Sequence, residues 1–204
     1  TANGMLIESV ILRVASGRTA LCVSSQVGCA AACDFCATGK MGIARNLSSA
    51  EILDQFLIAG QLLAREGRKI RNIVFMGMGE PLLNLASVVQ AIRVLTHAEA
   101  FALSPKRITV STAGVVPRLA QLGAAVPVRL AVSLHATTDA LRDELVPLNR
   151  RFPLAKLLEA CAAYPVARRD RLSFAYALLA GVNDSDADAR SLARIARGAR
   201  AKVN

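Results

Sequence analysis

Short apolar segments alternate along this chain with longer segments in which apolar residues recur at helical spacing. Short runs rich in β-branched residues are typical of strands, and they occur at residues 6–14, 19–23, 72–76, 107–111, 128–133 and 172–179. Helical spacing predicts helices at residues 52–63, 85–95, 116–122, 139–146, 154–164 and 186–197. The pattern Ser48-Ser-Ala-Glu51 is a capping box, which predicts where the first of these helices begins.

This alternation predicts an α/β fold with a parallel sheet. The first two strands are expected to pair as an N-terminal β-hairpin. Five strands counted from Thr19, with another beginning at residues 202–204, predict a partial (β/α) barrel. Residues 1–18 would form a hairpin extension and residues 19–204 the core domain. Because the chain starts with Thr1 and stops where a strand begins, we expect a fragment that lacks the last barrel strand and a C-terminal tail.

The composition is that of a globular core without a membrane anchor. Hydrophobic residues make up 53% of the 204 residues, but no stretch approaches the ~18 unbroken apolar residues of a membrane span. The N-terminus has no signal-peptide pattern. Five cysteines, an odd number with three of them clustered, favour a reducing compartment over a disulfide framework. A cytoplasmic location is therefore expected.

The chain is strongly basic, with 25 Lys and Arg against 15 Asp and Glu and a formal charge of +10. Such an excess favours an anionic partner, above all nucleic acid, although an Arg-rich helix face exposed to solvent explains it equally well. Arg190, Arg194 and Arg197 recur every three to four residues, which predicts one shared helical face. Further basic groups occur at Arg65, Arg68, Lys69 and Arg71, at Arg150 and Arg151, and at Arg168, Arg169 and Arg171.

The most informative motif is C-x3-C-x2-C, formed by Cys29, Cys33 and Cys36. Clustered thiolates are ligands for zinc, copper(I) or an iron–sulfur cluster. A structural zinc site requires four ligands, and no fourth ligand lies at a matching spacing. Three thiolates can instead hold three irons of a [4Fe–4S] cluster and leave one iron open. A zinc knuckle or three inert buried thiols are the alternatives.

Small and polar residues follow successive strands at the edge where parallel barrels bind ligands. They are Gly77-Met-Gly-Glu-Pro81, Ser111-Thr-Ala-Gly114 and Ser133-Leu-His135. Two glycines would let a ligand approach the backbone, and Glu80 would offer a carboxylate to an ammonium group. Together the strand ends predict one shared site, suited to a ligand such as S-adenosylmethionine (SAM).

Several motifs together resemble the RlmN/Cfr family of radical SAM RNA methyltransferases. They are Cys22-Val-Ser-Ser-Gln-Val-Gly-Cys29 with the cysteine loop, Arg45-Asn-Leu47, Gly77-Met-Gly-Glu-Pro-Leu-Leu-Asn84, Ser111-Thr-Ala-Gly-Val-Val-Pro117, Ser133-Leu-His-Ala136 and Arg142-Asp-Glu-Leu-Val-Pro147. The resemblance extends over nearly the whole chain and implies a partial barrel of the radical SAM type.

The resemblance also implies site residues. Cys29, Cys33 and Cys36 would bind the [4Fe–4S] cluster. The residues implied to contact SAM are Gly79, Glu80, Ser111, Ser133, Leu134 and His135. Glu8, expected in the first strand, would accept a proton, and Cys22 would resolve the protein–RNA adduct as a disulfide. Both also have ordinary interpretations as strand residues, and Cys161 matches no family role.

The implied reaction is methylation of adenine C2 in 23S rRNA and tRNA. In the family, one SAM methylates a cysteine, and a second SAM yields a 5′-deoxyadenosyl radical that activates the methyl group. The implied partners are both RNAs and an electron donor such as flavodoxin or ferredoxin, and the implied state is a monomer. Because the methyl-carrying cysteine and an N-terminal accessory domain are missing from this sequence, the fragment itself is expected not to complete methyl transfer.

Two other functions stay open from the sequence. A Cfr-like enzyme would methylate adenine C8 and shares these motifs. A metal-stabilised RNA-binding module without catalysis would use the basic charge alone. The motifs at the strand ends favour an enzyme over such a module.

Overall fold

The computed structural model describes residue 1, residues 3–166 and residues 170–204. Its strands are β1 (Val10–Arg13), β2 (Thr19–Cys22), β3 (Gln26–Gly28), β4 (Ile43–Asn46), β5 (Asn72–Phe75), β6 (Ile108–Thr112), β7 (Arg129–Ser133), β8 (Leu172–Ala175) and β9 (Ala201–Val203). Its helices are α1 (Ala37–Lys40), α2 (Ser49–Arg65), α3 (Leu85–Thr96), α4 (Val116–Ala125), α5 (Asp139–Leu145), α6 (Leu154–Ala163) and α7 (Asp186–Gly198). Short 3₁₀ helices occupy Pro81–Asn84, Pro105–Arg107 and Pro147–Arg150.

In this part of the chain, seven strands form one open sheet in the order β1-β2-β5-β6-β7-β8-β9. β1 and β2 pair antiparallel, and every later neighbour in the sheet pairs parallel. The structure therefore confirms the predicted α/β fold, the N-terminal hairpin and the additional strand at the end of the sequence. All six parallel strands end at one edge of the sheet.

The two faces of the sheet differ in chemistry because side chains alternate along each strand. In β6, Ile108 and Val110 are fully buried in the main core, whereas Thr109 and Ser111 on the opposite face are half-buried. The core is completed by apolar side chains of the helices. The opposite face is lined by small and polar residues, so it has room for a ligand.

Two predicted strands are shorter than expected. The predicted strand at residues 6–14 is reduced to β1: Leu6 is 86% exposed, whereas Ile7 packs against the core without joining the sheet. The strand predicted at residues 172–179 is also shorter and ends with β8 at Ala175. The backbone after it forms hydrogen bonds with a loop, since the Ala177 N–H donates to the His135 side chain. The predicted helices are all present, and the Ser48–Glu51 capping box opens α2 as expected.

The surface carries the basic residues that the sequence singled out. Arg190, Arg194 and Arg197 are exposed along one face of α7, as predicted, while Leu192 and Ile195 on its other face pack against the core. Arg168 and Arg169 lie outside the described residues. Among the described residues, no helix combines the length and apolarity that a bilayer crossing requires.

Candidate active site at the strand ends

A two-stranded sheet that the sequence pattern did not predict holds the cysteine loop in place. β3 and β4 pair antiparallel on either side of the loop, and the Cys29 N–H donates to the Gly42 carbonyl at 2.7 Å. Gly28 has a φ of +80°, and a Cβ there would lie 2.0 Å from that same carbonyl oxygen. Farther along, the Asp34 N–H donates to the Leu145 carbonyl at 3.0 Å. The loop is therefore fastened at both ends.

The structure brings the three predicted metal ligands together. Cys29 and Cys33 are buried and Cys36 is half-buried, and all three belong to one small apolar cluster at the strand ends. Burial, together with the neighbouring Cys29 and Cys36, raises the pKa of the Cys33 thiol to about 12. Within the described ranges, no set of three His, Cys, Asp or Glu side chains converges as a finished metal site.

The chemistry of this donor set fits an iron–sulfur cluster. Three soft donors share one apolar cluster, and none of them is in a disulfide. Burial raises the pKa of the Cys29 and Cys33 thiols, so a metal would have to displace their protons as it binds. A bound cation reverses the electrostatic penalty, because it stabilises thiolates that repel one another without it.

The side chain of Glu80 is buried between the loops that follow β5 and β6. It is 3% exposed, and its two carboxylate oxygens accept hydrogen bonds from the backbone N–H groups of Leu82 at 3.0 Å and Ala113 at 2.7 Å. Burial raises the pKa of this carboxyl, and the two backbone donors oppose that shift. Glu80 therefore links the loop after β5 to the loop after β6. Its predicted contact with the SAM ammonium stays a prediction.

The two glycines before Glu80 are required by packing of the protein on itself. A Cβ at Gly79, which has a φ of +102°, would lie 2.6 Å from the Gln26 side chain. A Cβ at Gly77 would lie 2.8 Å from Ser24 and from the Val23 backbone. The sequence argument assigned these glycines to close approach of a ligand. In the structure the close neighbours are protein atoms.

His135 occupies a left-handed turn directly after β7. Its φ is +56°, which is uncommon for a residue other than glycine and is held here by neighbouring contacts. The imidazole Nδ1 accepts the Ala177 N–H at 3.0 Å, and the Asn183 side chain donates to the His135 carbonyl at 2.8 Å. Phe35, in the cysteine loop, packs against the imidazole with 4.4 Å between ring centroids. This contact places the cysteine loop beside the Ser133–His135 turn.

Burial, helped by the nearby charge of Arg142, lowers the pKa of His135 to about 4, so its imidazole is neutral at pH 7. Because the unfolded imidazole titrates near 6.5, the protein is expected to lose stability as the pH falls from about 6.5 to 4, by on the order of 3 kcal/mol. Urea unfolding at a series of pH values measures this loss.

The matched variant is His135→Asn, since the Asn side-chain oxygen can replace Nδ1 as acceptor and Asn tolerates left-handed backbone. Between pH 6.5 and 4, the variant should therefore lose less stability than the wild type, by on the order of 3 kcal/mol. Equal pH dependence in both proteins would contradict the assignment of the titration to His135.

The remaining predicted site residues surround the same edge. Ser111 and Ser133 are half-buried on the open face of the sheet, and Leu134 is fully buried. Cys22 ends β2 on that face, where burial raises its pKa and the charge of Glu8 adds to the effect. Glu8 is exposed and precedes β1, so its placement in the first strand was wrong.

Two buried polar side chains that sequence reasoning missed connect the strand ends. Arg142 donates to backbone carbonyls after β6 and β7. Asn183 joins the loops after β7 and β8: it donates to the His135 and Ala177 carbonyls and accepts the Leu179 N–H. Arg142 belongs to a quoted motif, but its position in a helix beside Asp143 and Glu144 indicated an exposed side chain.

The model of the radical SAM superfamily matches residues 23–193. The chain is 54% identical to a dual-specificity RNA methyltransferase RlmN from Methylorubrum populi, a match covering 99% of this chain and 50% of that protein. It is 51% identical to the RlmN of an Anaeromyxobacter species, covering all of this chain and 55% of that protein.

The crystal structure of a radical SAM methyltransferase from Sphaerobacter thermophilus superposes with a TM-score of 0.95 at 47% identity, over 100% of this chain and 60% of that one. The chain thus spans about half the length of the curated relatives it matches. Because the family model covers most of the residues, the chain belongs to the radical SAM superfamily, whose members in general use SAM and a [4Fe–4S] cluster.

Proposed function

We propose that this chain is the radical SAM core of an RNA methyltransferase of the RlmN type, which methylates C2 of adenine in 23S rRNA and tRNA. The observation that carries the proposal is the contact between Phe35 and His135 at 4.4 Å. It sets the cysteine loop against the strand-end turn that is predicted to bind SAM. The relatives named RlmN supply the reaction and the RNA substrates.

In this proposal Cys29, Cys33 and Cys36 hold the [4Fe–4S] cluster and leave one iron for SAM. When bound, the cluster would supply the electron that cleaves SAM. The buried guanidinium of Arg142 favours the thiolate form of Cys33, since it lowers that pKa against the effect of burial. The apolar residues around the thiols exclude water from this part of the site.

SAM would bind across the strand ends, against Gly79, Glu80, Ser111, Ser133, Leu134 and His135. Both Glu80 oxygens are already engaged by backbone N–H groups, so its main contribution is to fix the loop that Gly79 belongs to. The neutral imidazole of His135 presents Nε2–H as a donor, because Nδ1 accepts the Ala177 N–H. Ser111 and Ser133 offer hydroxyl groups on the open face.

Two further residues have roles by family resemblance. Cys22 lies on the open face next to these strand ends. Its thiolate would attack the sulfur of the family's methyl-carrying cysteine, so that a disulfide forms while the bond from that sulfur to the carbon on adenine breaks and the methylated base is released. Glu8, whose charge acts on Cys22, would accept the proton from the adenine ring. We further propose a monomer in the cytoplasm that receives electrons from flavodoxin or ferredoxin.

The direct test is to disrupt the gene in cells that encode this chain and to analyse digested 23S rRNA and tRNA by mass spectrometry. We expect 2-methyladenosine to disappear and to return when the wild-type gene is restored, but not when the Cys33→Ala gene is restored. Loss of 8-methyladenosine instead would indicate the C8 reaction. Unchanged methylation of both RNAs, with retained RNA binding, would indicate a non-catalytic module.

A further inference from the structure

Arg142 on α5 is a buried cation at the centre of the candidate site, and it is 1% exposed. Its Nη2 donates to the carbonyls of Ala113 at 2.7 Å and Ser133 at 3.1 Å. Its Nε donates to the carbonyl of Leu134 at 3.2 Å. One guanidinium thus binds three backbone carbonyls that follow two neighbouring strands, β6 and β7.

The remaining donor group of Arg142, Nη1, bonds to a side chain rather than to the turns. Its Nη1 donates to the Asn149 side chain at 2.9 Å, and Asn149 in turn donates to the carboxylates of Asp139 at 2.9 Å and Asp143 at 2.7 Å. Within the described part of the chain, Arg142 forms no ion pair with a carboxylate. Burial lowers the pKa of Arg142 to about 10, while Cys33 and the carboxylates of Asp139 and Asp143 favour its charged form from a distance.

A buried charge that lacks a direct counter-ion is costly, so its presence calls for a physical reason. An apolar side chain could fill the same space, but it would remove the guanidinium donors from the Ala113 and Ser133 carbonyls and leave the Leu134 carbonyl with the Ala136 N–H alone. Gly114, next to Ala113, has a φ of +111°, and a Cβ there would lie 3.0 Å from Leu157, so this turn is closely packed beside the guanidinium.

We propose that Arg142 is a positioning residue for SAM binding: its guanidinium holds the turns after β6 and β7 in the orientation that presents Ser111 and Ser133–His135 to SAM. This inference rests on the proposed function and adds a residue to it. Arg142 is 1% exposed and bonded to backbone carbonyls at the ends of β6 and β7, so it can brace these turns without occupying the open face on which Ser111 and Ser133 lie. Lysine cannot replace it, because an ammonium lacks the planar fork that reaches both turns at once.

The test measures SAM affinity, by calorimetric titration of the anaerobically reconstituted protein, for wild type, Arg142→Lys and Arg142→Met. Both variants lose charge-assisted hydrogen bonds to the turns, so we expect the dissociation constant for SAM to rise at least about tenfold. Arg142→Lys keeps the positive charge that favours the Cys33 thiolate, and β3 and β4 still hold the cysteine loop, so its iron content should stay at the wild-type level. Arg142→Met removes that charge, so its SAM affinity is compared with that of the wild type at equal iron loading.

The matched control is Leu119→Ala, a fully buried residue of α4 whose apolar side chain donates no hydrogen bond to the turns and whose truncation destabilises the main core. Assayed where it is folded, it should bind SAM as wild type does, which separates positioning from general loss of stability. Wild-type affinity in Arg142→Lys would overturn the inference while leaving the proposed function intact. Failure of the wild-type protein to bind SAM would instead overturn the proposed function and this inference with it.

Discussion

Replacing Cys33 with alanine is expected to abolish both iron uptake during reconstitution and reductive cleavage of SAM. Cys33 is buried in the middle of the three-cysteine motif, and its pKa is raised both by burial and by Cys29 and Cys36. Removing one of three thiolate ligands leaves two, which cannot hold a cluster with one open iron. Iron and sulfide analysis, with detection of 5′-deoxyadenosine by mass spectrometry, measures the two losses.

Cys161→Ala is the matched control for this experiment. It makes the same chemical change at a buried free cysteine in α6, outside the cysteine loop. This variant should take up iron and cleave SAM like the wild type. Iron content and SAM cleavage that survive Cys33→Ala would contradict the assignment of Cys33 as a cluster ligand.

Gly28→Ala is expected to destabilise the fold by at least about 2 kcal/mol and to reduce iron uptake sharply. Position 28 has a left-handed backbone, and its new methyl group would lie 2.0 Å from the Gly42 carbonyl oxygen. That oxygen accepts the Cys29 N–H, so relief of the clash must pull apart the β3–β4 pair that carries the cysteine loop. Urea unfolding and iron analysis of the reconstituted protein measure both effects.

Gly60→Ala is the control, since Gly60 lies within α2 and a Cβ there meets nothing within 4 Å. Alanine favours helix over glycine, so this variant should gain about 0.5–1 kcal/mol and keep its iron. If Gly28→Ala matched Gly60→Ala in stability and iron content, the role given to the β3–β4 pair would be wrong.

The fold could be predicted from the sequence because strands and helices alternate in long, clearly periodic segments. The order of apolar runs was enough to predict a parallel sheet, and parallel strands necessarily bring their ends to one edge. The β3–β4 pair escaped prediction for a physical reason: each strand is three or four residues long, and they are separated by the whole cysteine loop. Such strands leave no periodic pattern.

The chemistry of the site was predictable in its residue types but not in its contacts. The three cysteines and the Ser133–His135 turn do lie together, as their motifs indicated. The sequence could not show that both carboxylate oxygens of Glu80 would accept hydrogen bonds from backbone N–H groups, nor that Arg142 would be buried. Both facts depend on tertiary neighbours, and a charged residue in a short helix ordinarily indicates an exposed side chain.

These buried polar contacts make the strand ends one connected unit. Glu80 joins the loops after β5 and β6, Arg142 those after β6 and β7, and Asn183 those after β7 and β8. A ligand that binds at one strand end therefore meets a surface braced by its neighbours. Such rigid support is what an enzyme needs in order to hold a reactive cofactor and its substrate in a fixed geometry.

The central claim is that the clustered thiols of Cys29, Cys33 and Cys36 hold a [4Fe–4S] cluster with an iron open to SAM. Electron paramagnetic resonance of the anaerobically reconstituted, reduced protein tests it most directly, with spectra recorded before and after SAM is added. We expect a [4Fe–4S]⁺ signal that changes on addition of SAM. A protein that takes up zinc in place of iron, or a cluster signal that SAM leaves unchanged, would contradict it.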